Sequence, residues 1–381
     1  MSVLAGVKVL EIEGIGPAPF CAMLLADLGA EVVLVQRTQS SGDITDMGRA
    51  SIQHRGKRSV AVDLKSPQGV QLVLQLAAQA DCLIEGMRPG VMERIGLGPE
   101  VCLARNPRLV YGRMTGWGQT GPLAQAAGHD LNYLGLSGAL WYASPAGMPP
   151  FTPPTMLGDV AGGALYLAVG LLAAILNARA TGRGQVVDAA IVDGAAHMLN
   201  LLFALRASGN LEIERGASIV DGSHWSSTYR CADGRYVAVQ SVESRFYAVL
   251  LERLGLTKDP DFARQYDPTS WPRARQRLTE LFATRPRDAW CALLEGSDAC
   301  FAPVLDPEEA AQHPHNVARG SFRTVDGMLQ ANPAPRFSNS PPPQTARVPQ
   351  RGEHTREVLR QAGIDESQLQ SLISCGAVAS T

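Results

Sequence analysis

The sequence predicts an α/β protein that has a large Rossmann-like domain with a mainly parallel sheet, followed by a smaller α+β domain. Three observations carry this prediction. Short apolar stretches alternate with helical patterns through the first half of the chain, which is typical of β-α-β units. Hairpin and amphipathic-helix patterns follow in the second half. The length, 381 residues, is more than one hydrophobic core usually serves.

The first β-α-β unit opens the large domain. Residues 7–12 have the pattern of a buried strand, 14–19 that of a turn, 20–28 that of a helix and 31–35 that of a second strand. The arrangement is of Rossmann type, but the third glycine of a dinucleotide motif is missing and no acidic residue follows the second strand. Arg37 stands there instead, at the strand end where open α/β sheets bind ligands.

The alternation continues along the large domain. Further strands are predicted at residues 60–64, 81–85, 109–114 and 186–191, and helices at 67–80, 91–95 and 191–209. The uncharged residues 160–176 are nearly long enough to span a membrane, but their small side chains favour a buried core helix. The large domain is expected to comprise residues 1–200 together with 330–381.

The smaller α+β domain is predicted at residues 225–329, after a polar linker at 201–224. Asp233-Gly234 marks the turn of a hairpin. Amphipathic helices are predicted at residues 246–254, 271–283 and 287–294. The proline-rich residues 332–350 are expected to be extended, and two helices, 355–361 and 366–373, end the chain.

The composition argues against several classes of partner and site. The net charge is −2, so no overall positive field favours nucleic acid or an anionic membrane. The seven cysteines are scattered without a C-x-x-C pair, which argues against a disulfide framework or a zinc site. Glu11 and Glu13 interrupt the first apolar stretch, so no signal peptide is expected. We expect a cytoplasmic protein without a metal.

Basic residues near the start of the chain form a candidate anion site. Most of them lie at or just after predicted strand ends, and several cations at one sheet edge suit a ligand with several phosphates. The alternative is that they are solvated surface charges. They are Arg37, Arg55, Lys57, Arg58, Lys65, Arg88 and Arg94.

His129 and Asp159 are the candidate base and acid. Each stands beside a glycine at the start of a helical pattern, in Gly128-His129 and Gly158-Asp159. The alternatives are a structural histidine and an aspartate that caps its helix. Backbone N–H groups at the start of the helix that carries Asp159 would stabilise negative charge on a substrate oxygen.

Several motifs, in order along the chain, resemble the type III CoA-transferase superfamily. They are GMRPGVMER at 86–94, TGWGQTGP at 115–122, GHDLNY at 128–133, TGRGQVVDA at 181–189 and GEHT at 352–355. Within that superfamily they most resemble the α-methylacyl-CoA racemases. Members that transfer CoA usually have a tyrosine where this chain has His129, and they use the aspartate as a nucleophile.

The pairing of His129 with Asp159 therefore implies racemisation of 2-methylacyl-CoA thioesters by 1,1-proton transfer through an enolate. Neutral His129 would take the α-proton from one enantiomer while protonated Asp159 delivers one to the opposite face, and the other enantiomer would reverse the roles. No cofactor is needed, since CoA is part of the substrate. Two alternatives stay open: CoA transfer between carboxylates with Asp159 as nucleophile, and a non-catalytic protein that binds CoA thioesters.

The resemblance also implies a dimer and further site residues. Family members are interlocked homodimers, and Glu243 of the small domain would orient His129 of the other chain. Asp130 and Tyr133 would line the path of the CoA thiol and pantetheine. The nucleotide end would be held by Arg37, Ala61, Val62, Asp63, Leu64, Arg88 and Arg94. The remaining CoA-binding candidates are Lys65, Gly86, Met87, Gly121 and Gly128.

Two stretches depart from the racemase pattern where the acyl group should be recognised. Racemases usually have Glu-Pro-Gln-Phe-Tyr at the position of residues 243–247 and Gly-Gly-Ala-Pro at that of 222–225. This chain has Ser244 and Arg245 in the first stretch, and Ser223, His224 and Trp225 in the second. We expect His224 to be an exposed loop residue, and the alternative is a residue of the acyl pocket.

Overall fold

The computed structural model describes residues 1–42, 46–343 and 347–380, which form two compact units. The first unit comprises residues 1–139, 152–198 and 322–381, and the second comprises 140–151 and 199–321. The strands are β1 (Lys8–Ile12), β2 (Glu31–Gln36), β3 (Arg58–Val62), β4 (Cys82–Glu85), β5 (Val110–Thr115), β6 (Val186–Ala190), β7 (Ser226–Arg230), β8 (Tyr236–Gln240), β9 (Phe301–Val304), β10 (Phe322–Val325), β11 (Met328–Ala331) and β12 (Val378–Ala379).

The helices alternate with these strands in the first unit and are denser in the second. The α-helices are α1 (Pro17–Asp27), α2 (Pro67–Ala77), α3 (Val91–Arg94), α4 (Pro99–Arg105), α5 (Asp130–Ser137), α6 (Leu165–Thr181), α7 (Ile191–Met198), α8 (Asn200–Ala207), α9 (Ser244–Leu254), α10 (Trp271–Phe282), α11 (Arg287–Leu294), α12 (Pro307–Gln312), α13 (Pro314–Arg319), α14 (Thr355–Gln361) and α15 (Glu366–Ser374). A π-helix, Met156–Ala164, leads directly into α6.

A seven-stranded sheet organises the first unit. Its strand order is β12-β3-β2-β1-β4-β5-β6, and every neighbouring pair is parallel except β12 with β3. The order reverses between β1 and β4, because the chain leaves β1 in one direction and returns to its other side at β4. Loops that follow these two strands separate at that point, and open α/β sheets bind their ligands in the crevice between them.

Side chains of the sheet alternate between two helix layers. Val9 packs on the side of α1 and α6, and its neighbour Leu10 packs on the side of α2 and α14. Cys82 and Leu83 divide in the same way on β4. Both faces of the sheet are therefore covered, as the alternation of strands and helices predicted, and a mixed α/β fold with a mainly parallel sheet is confirmed.

The apolar stretch 160–176 belongs to the longest helical segment of the described chain. Residues Met156–Thr181 are long and apolar enough, by length and composition, to cross a membrane. In α6, however, Leu167, Leu171 and Ile175 are buried in the core against α1 and the sheet. One apolar face of α6 is therefore buried in the protein core, as the sequence predicted, while the opposite face is exposed.

The second unit has its own core. Strands β7, β8 and β9 form an antiparallel sheet, and the residues of the predicted hairpin lie in β7 and β8. Its largest buried side chains include Trp225, Phe262, Phe282 and Trp290. The sheet and the helices α9, α10 and α11 enclose them, which makes this an α+β unit.

The unit boundaries differ from the predicted ones at three places. Residues 140–151 group with the second unit because Trp141 Nε1 donates to the Ile213 carbonyl at 2.7 Å and Tyr142 Oη donates to the Glu212 carbonyl at 2.8 Å. The predicted linker 201–224 belongs to the same unit. Residues 322–329 group with the first unit, because β10 pairs with β11 and Arg55 Nη1 donates to the Ala331 carbonyl of β11 at 2.9 Å.

Individual elements differ from prediction as well. The predicted helix 191–209 is divided at Leu199 into α7 and α8. The strand predicted at 60–64 is β3, which ends at Val62, so Asp63 and Lys65 lie in the turn that follows. The sequence patterns had not indicated the short hairpin of β10 and β11 or the antiparallel strand β12.

Two of the basic residues in the candidate anion site are buried in ion pairs. Arg55 Nη2 lies 2.5 Å from Asp27 Oδ2, and Lys57 Nζ lies 2.6 Å from Glu11 Oε2, with both partners of each pair buried. Lys57 Nζ also donates to the Pro19 carbonyl at 3.0 Å. The prediction that Arg55 and Lys57 face a ligand is therefore wrong, because their charges are already neutralised inside the first unit.

Replacing Lys57 by methionine should destabilise the first unit strongly. Burial raises the pKa of Glu11 to about 7 even with Lys57 beside it, so removing Lys57 leaves a carboxyl group without its cation. We expect the free energy of unfolding to fall by roughly 3–5 kcal/mol, as is usual when one partner of a buried pair is lost. Urea unfolding at pH 7.5 would measure the change.

The exposed ion pairs of Arg58 provide the matched control. Arg58→Met should cost less than about 1 kcal/mol, because its pairs with Glu31 and Glu357 are partly exposed. The double variant Glu11→Leu, Lys57→Met should recover most of the loss. Equal losses for Lys57→Met and Arg58→Met would show that the buried pair has no special weight.

Candidate active site

A cavity of about 300 Å³ lies where the loops after β1, β4 and β5 meet. The loop after β1 contributes Ile15 and Gly16, the loop after β4 contributes residues 86–89, and the loop after β5 contributes residues 124 and 126–129. We call it the His129 cavity. It lies at the carboxyl ends of the strands, beside the point where the strand order reverses, so the sheet topology itself forms this crevice.

His129 enters the cavity from the start of α5. It is the N-cap residue, with an extended backbone (φ −137°), and its N–H donates to Asn132 Oδ1 at 2.9 Å. Tyr133 Oη donates to the carbonyl of Gly128 in a short hydrogen bond, and the Tyr133 ring packs edge-on against Trp117 with centroids 4.6 Å apart. The turn that carries His129 is therefore fixed on both sides.

Glycine is required on this turn by the tyrosine. A Cβ atom on Gly128 would lie 2.8 Å from the Tyr133 ring and 2.9 Å from the Trp117 ring. A side chain at residue 128 would consequently push one of these rings away. The Gly-His sequence is thus explained by packing, which leaves the imidazole exposed toward the cavity.

Asp159 enters the same cavity from the π-helix. Thr155, with φ +61°, is the N-cap residue of that helix, and Asp159 follows four residues later. The alternative that Asp159 caps the helix is therefore wrong. A Cβ atom on Gly16 would lie 3.6 Å from Asp159 Oδ2, so the glycine turn before α1 forms one wall around the carboxyl group.

The protonation of Asp159 is shifted toward neutral pH. Partial burial, the larger cause, and the Asp130 carboxylate together raise the pKa of its carboxyl group to about 6, against the opposite effect of His129. A carboxyl group with such a pKa can both hold and release a proton under ordinary conditions. The arrangement thus supplies an imidazole and a partly protonated carboxyl group to one cavity.

The backbone near Asp159 differs from one expectation. The Asp159 N–H was expected to donate to a substrate oxygen, but it donates to Asp130 Oδ1 at 2.9 Å. That N–H is therefore used within the protein. The start of α5, where His129 and Asp130 lie, presents the positive end of a second helix dipole beside the cavity.

A second cavity, of about 370 Å³, adjoins the first and shares Ile15 and Gly16 with it. We call it the Arg37 cavity. Arg351 crosses it, with Nη1 2.9 Å from Glu13 Oε1 and Nη2 2.9 Å from Asp46 Oδ2. Sequence analysis missed Arg351, which stands between the proline-rich residues 332–350 and the GEHT motif at 352–355.

The structure brings together part of the predicted CoA-binding set. Gly86, Met87, Arg88, Gly128 and Tyr133 line the His129 cavity, and Arg37 lines the Arg37 cavity. Both arginines are exposed and make no ion pair within the described part of the chain. Their charges are consequently available to an anionic ligand.

Other members of that set lie elsewhere. Ala61 and Val62 are buried in β3, and the Ala61 N–H donates to Thr355 Oγ1 at 3.1 Å. Asp130 is buried beneath the cavity wall rather than lining it. Among the described residues, neither of the two cavities is lined by Asp63, Leu64, Lys65, Arg94 or Gly121.

Glu243 belongs to the second unit, where it is the exposed N-cap residue of α9. The backbone just before it is held firmly. Gln265 Nε2 donates to the Ser241 carbonyl at 2.9 Å and to the Val242 carbonyl at 3.0 Å. The Glu243 side chain makes no capping hydrogen bond, which leaves its carboxylate available to another partner.

His224 is fully buried, so the expectation of an exposed loop histidine is wrong. Its Nε2 lies 2.6 Å from Tyr247 Oη, and Tyr247 Oη donates to the Phe262 carbonyl at 3.2 Å. Tyr247 lies in the first turns of α9. The two stretches that depart from the racemase pattern, 222–225 and 243–247, are therefore joined by this hydrogen bond inside the second unit.

His224 should make the stability of the second unit depend on pH. Burial, aided by Arg275, lowers the pKa of its imidazole from 6.5 to about 4. At pH 7 the folded and unfolded chains both hold a neutral imidazole, and below pH 6.5 only the unfolded chain binds the proton. Stability is then lost as the pH falls, by roughly 2 kcal/mol at pH 5 relative to pH 7.

Comparison with His224→Gln isolates this contribution. Urea unfolding of both proteins at pH 7 and pH 5 should show a smaller loss for the variant, by about the same 2 kcal/mol. Other groups titrate in this range in both proteins and cancel in the difference. Identical pH dependence of the two proteins would contradict a buried neutral imidazole.

Comparison with known proteins places this chain in a family. It is 42% identical over 375 residues to alpha-methylacyl-CoA racemase from Mus musculus, covering 98% of this chain and 96% of the relative. The Homo sapiens alpha-methylacyl-CoA racemase is 41% identical over 374 residues, covering 97% and 96%. A crystal structure of a CAIB/BAIF family protein from Brucella suis superposes with a TM-score of 0.80 at 27% identity, covering 95% of this chain and 99% of that one.

A family model described as CoA-transferase family III matches residues 4–355. That range spans the motifs at 86–94, 115–122, 128–133 and 181–189 and reaches the first residue of α14. The resemblance stated from those motifs is thereby confirmed. The chain belongs to CoA-transferase family III.

Proposed function

We propose that this protein inverts the α-carbon of 2-methylacyl-CoA thioesters, moving one proton off and another on through an enolate. The observation that carries the proposal is that His129 and Asp159 line one cavity from two different elements. The racemase relatives, at 41–42% identity over nearly the whole chain, support it. The enzyme is then an isomerase of lipid metabolism, for which we propose a cytoplasmic location.

In this proposal, His129 and Asp159 carry out both proton transfers, and no other reacting group is needed. His129 removes the α-proton from one face, and the electrons of the broken C–H bond pass into the enolate of the thioester. Protonated Asp159 supplies a proton to the opposite face, where the new C–H bond forms. The opposite enantiomer uses ionised Asp159 as the base and protonated His129 as the acid, so no cofactor takes part.

The two adjoining cavities offer separate places for the two ends of an acyl-CoA. The thioester lies in the His129 cavity, within reach of the positive end of α5, which stabilises the enolate oxygen. The nucleotide lies in the Arg37 cavity, where Arg37 and the nearby Arg88 face its phosphates. In this proposal the first unit is the CoA-binding domain.

Two copies of the chain complete the site. Exposed apolar residues Leu165, Val169 and Leu176 follow one face of α6, the kind of surface that a second copy buries. Glu243 of one copy then orients His129 of the other, as in the interlocked homodimers of the family. The exposed Glu243 carboxylate without a capping bond fits this role.

Loss of either member of the pair should abolish racemisation but spare one exchange reaction. Asp159→Asn retains His129 as a base, and His129→Asn retains Asp159. Each variant should exchange the α-proton of one enantiomer only in deuterated water, while racemisation falls by roughly 10²–10⁴-fold. Proton NMR of both enantiomers would measure this, with His315→Asn as the exposed control. Wild-type protein that leaves the α-proton of several 2-methylacyl-CoA substrates unexchanged would overturn the proposal.

The rate should fall on the acid side of pH 6. Racemisation needs one proton on the pair, and Asp159 with a pKa of about 6 gains a second below that pH. Neither group can then act as a base, so kcat/KM should fall by about tenfold per pH unit. The acid limb of the pH profile must be the same for both enantiomers, because each reaction starts with one proton on the His129 and Asp159 pair. A rate unchanged down to pH 5 would contradict it.

The shared site can be tested by mixing variants. Asp159→Asn and Glu243→Gln homodimers, each impaired, should form hybrid dimers in which one of the two sites has both residues intact. Random exchange should then restore about a quarter of the wild-type rate. No recovery after verified exchange would show that Glu243 acts within its own chain or not at all.

A second candidate function is CoA transfer between carboxylates with Asp159 as nucleophile. The match to the CoA-transferase family III model favours it. The Asp159 carboxylate would attack the thioester carbonyl, release CoA and form an anhydride. Hydroxylamine trapping at Asp159, with a free carboxylate needed for turnover, would support transfer. Exchange of the α-proton without any trapped enzyme would support racemisation.

A further inference from the structure

Asp130 is a buried carboxylate directly behind Asp159. Its side chain is among the buried charged residues, with 6% of the residue exposed. Oδ1 accepts the Asp159 N–H at 2.9 Å. Within the described residues, Oδ2 has no hydrogen-bond partner. A buried anion with half of its hydrogen-bonding capacity unused is costly, so its retention points to a role in the site.

The packing around Asp130 is built for its close approach to the π-helix. A Cβ atom on Gly158 would collide with Asp130 Oδ1, so only glycine lets the carboxylate reach the backbone of Asp159. Asp130 is also the first residue of α5, where the helix dipole stabilises negative charge. Gly158 at the start of one helix thus makes room for the Asp130 carboxylate at the start of the other.

The charged groups around Asp159 come from several elements. His129, Tyr133 and Asp130 lie at the start of α5, and Arg88 lies in the loop after β4. The other strands and helices packed against the π-helix are β5, β6, α1, α6 and α7, which carry Arg113, Asp188, Asp27, Arg179, Asp193 and His197. Burial, Asp130 and His129 are the causes that shift the pKa of Asp159, in that order. The Asp130 carboxylate is therefore the anion that acts on Asp159.

We propose that Asp130 is a positioning residue of the proton-transfer pair, which fixes the Asp159 backbone and keeps a proton on the Asp159 carboxyl group by like-charge repulsion. The inference rests on the proposed function, and it differs from the role that the resemblance implied, a contact with pantetheine. Asp130 does not line the cavity, so it acts through Asp159 and not on the substrate.

The repulsion matters because the two directions of the reaction need opposite protonation of the same pair. With ordinary carboxyl acidity, Asp159 would remain ionised beside a protonated imidazole, and the form with the proton on Asp159 would be rare. An anion behind Asp159 brings the two forms closer in free energy. The protonation form that each enantiomer needs is then reached at a small cost in free energy.

Asp130→Asn tests the charge separately from the hydrogen bond, because the amide oxygen can still accept the Asp159 N–H. Carbon-13 NMR of aspartate-labelled protein, with the Asp159 signal assigned by its loss in Asp159→Asn, gives the titration midpoint. We expect the midpoint to fall by about one pH unit in Asp130→Asn. Asp193→Asn, which removes an exposed carboxylate from α7, should leave it unchanged.

The kinetics of the same variants give a second readout. In Asp130→Asn the acid limb of kcat/KM should move to lower pH in both directions, and kcat should fall while KM for the acyl-CoA stays near the wild-type value. Asp130→Ser, which removes the charge with a smaller side chain, should shift the midpoint in the same direction. Asp130→Ser replaces Asp130→Asn in these measurements if the asparagine variant does not fold.

An unchanged Asp159 midpoint in the folded variants would overturn the inference. A large rise in KM with an unshifted pH profile would also overturn it and would favour a contact with pantetheine. The titration needs no turnover. It therefore distinguishes failure of this inference from failure of the proposed racemisation, which the wild-type exchange experiment decides alone.

Discussion

Burial of the Asp159 carboxyl group against the start of α5 is the constraint on which the site depends. An aspartate in water is almost wholly ionised near neutral pH, so it holds no proton to donate, and its carboxylate is a weak base. For Asp159, partial burial and the neighbouring Asp130 carboxylate together raise the pKa to about 6. The cost of this burial is met by the packing of the first unit, where the π-helix is enclosed by α1, α5 and α7.

The sheet topology explains why the two reacting groups come from different parts of the chain. Reversal of strand order between β1 and β4 opens a crevice, and the loop after β5 brings His129 to its edge. The π-helix then brings Asp159 to the same place. His129 and Asp159 thus reach one cavity from separate elements, an arrangement that the proposed proton transfer on two faces of one carbon atom requires.

Strand periodicity is a local feature, and it was sufficient to predict the parallel sheet. Helix-start patterns offered His129 and Asp159 only as a candidate base and acid, and the resemblance to the racemases implied their pairing. Arg351 and the burial of Arg55 and Lys57 could not be predicted, because they depend on partners far away in the chain. His224 was misjudged for a related reason. Its loop sequence is polar, but Tyr247 and Phe262 provide a buried hydrogen-bonding site that no local pattern shows.

The basic residues near the start of the chain illustrate how folding selects among identical charges. Arg55 and Lys57 are neutralised by Asp27 and Glu11 inside the unit, whereas Arg37 and Arg88 remain exposed beside the cavities. The buried Lys57 also holds the Pro19 carbonyl in α1, whose first residue, Pro17, lines the wall of the His129 cavity. One set of cations thus supports the walls of the site, and the other set remains available to an anionic ligand. A net charge near zero is compatible with an anion site for this reason: the protein needs a few uncompensated cations at one edge of the sheet, not an overall positive field.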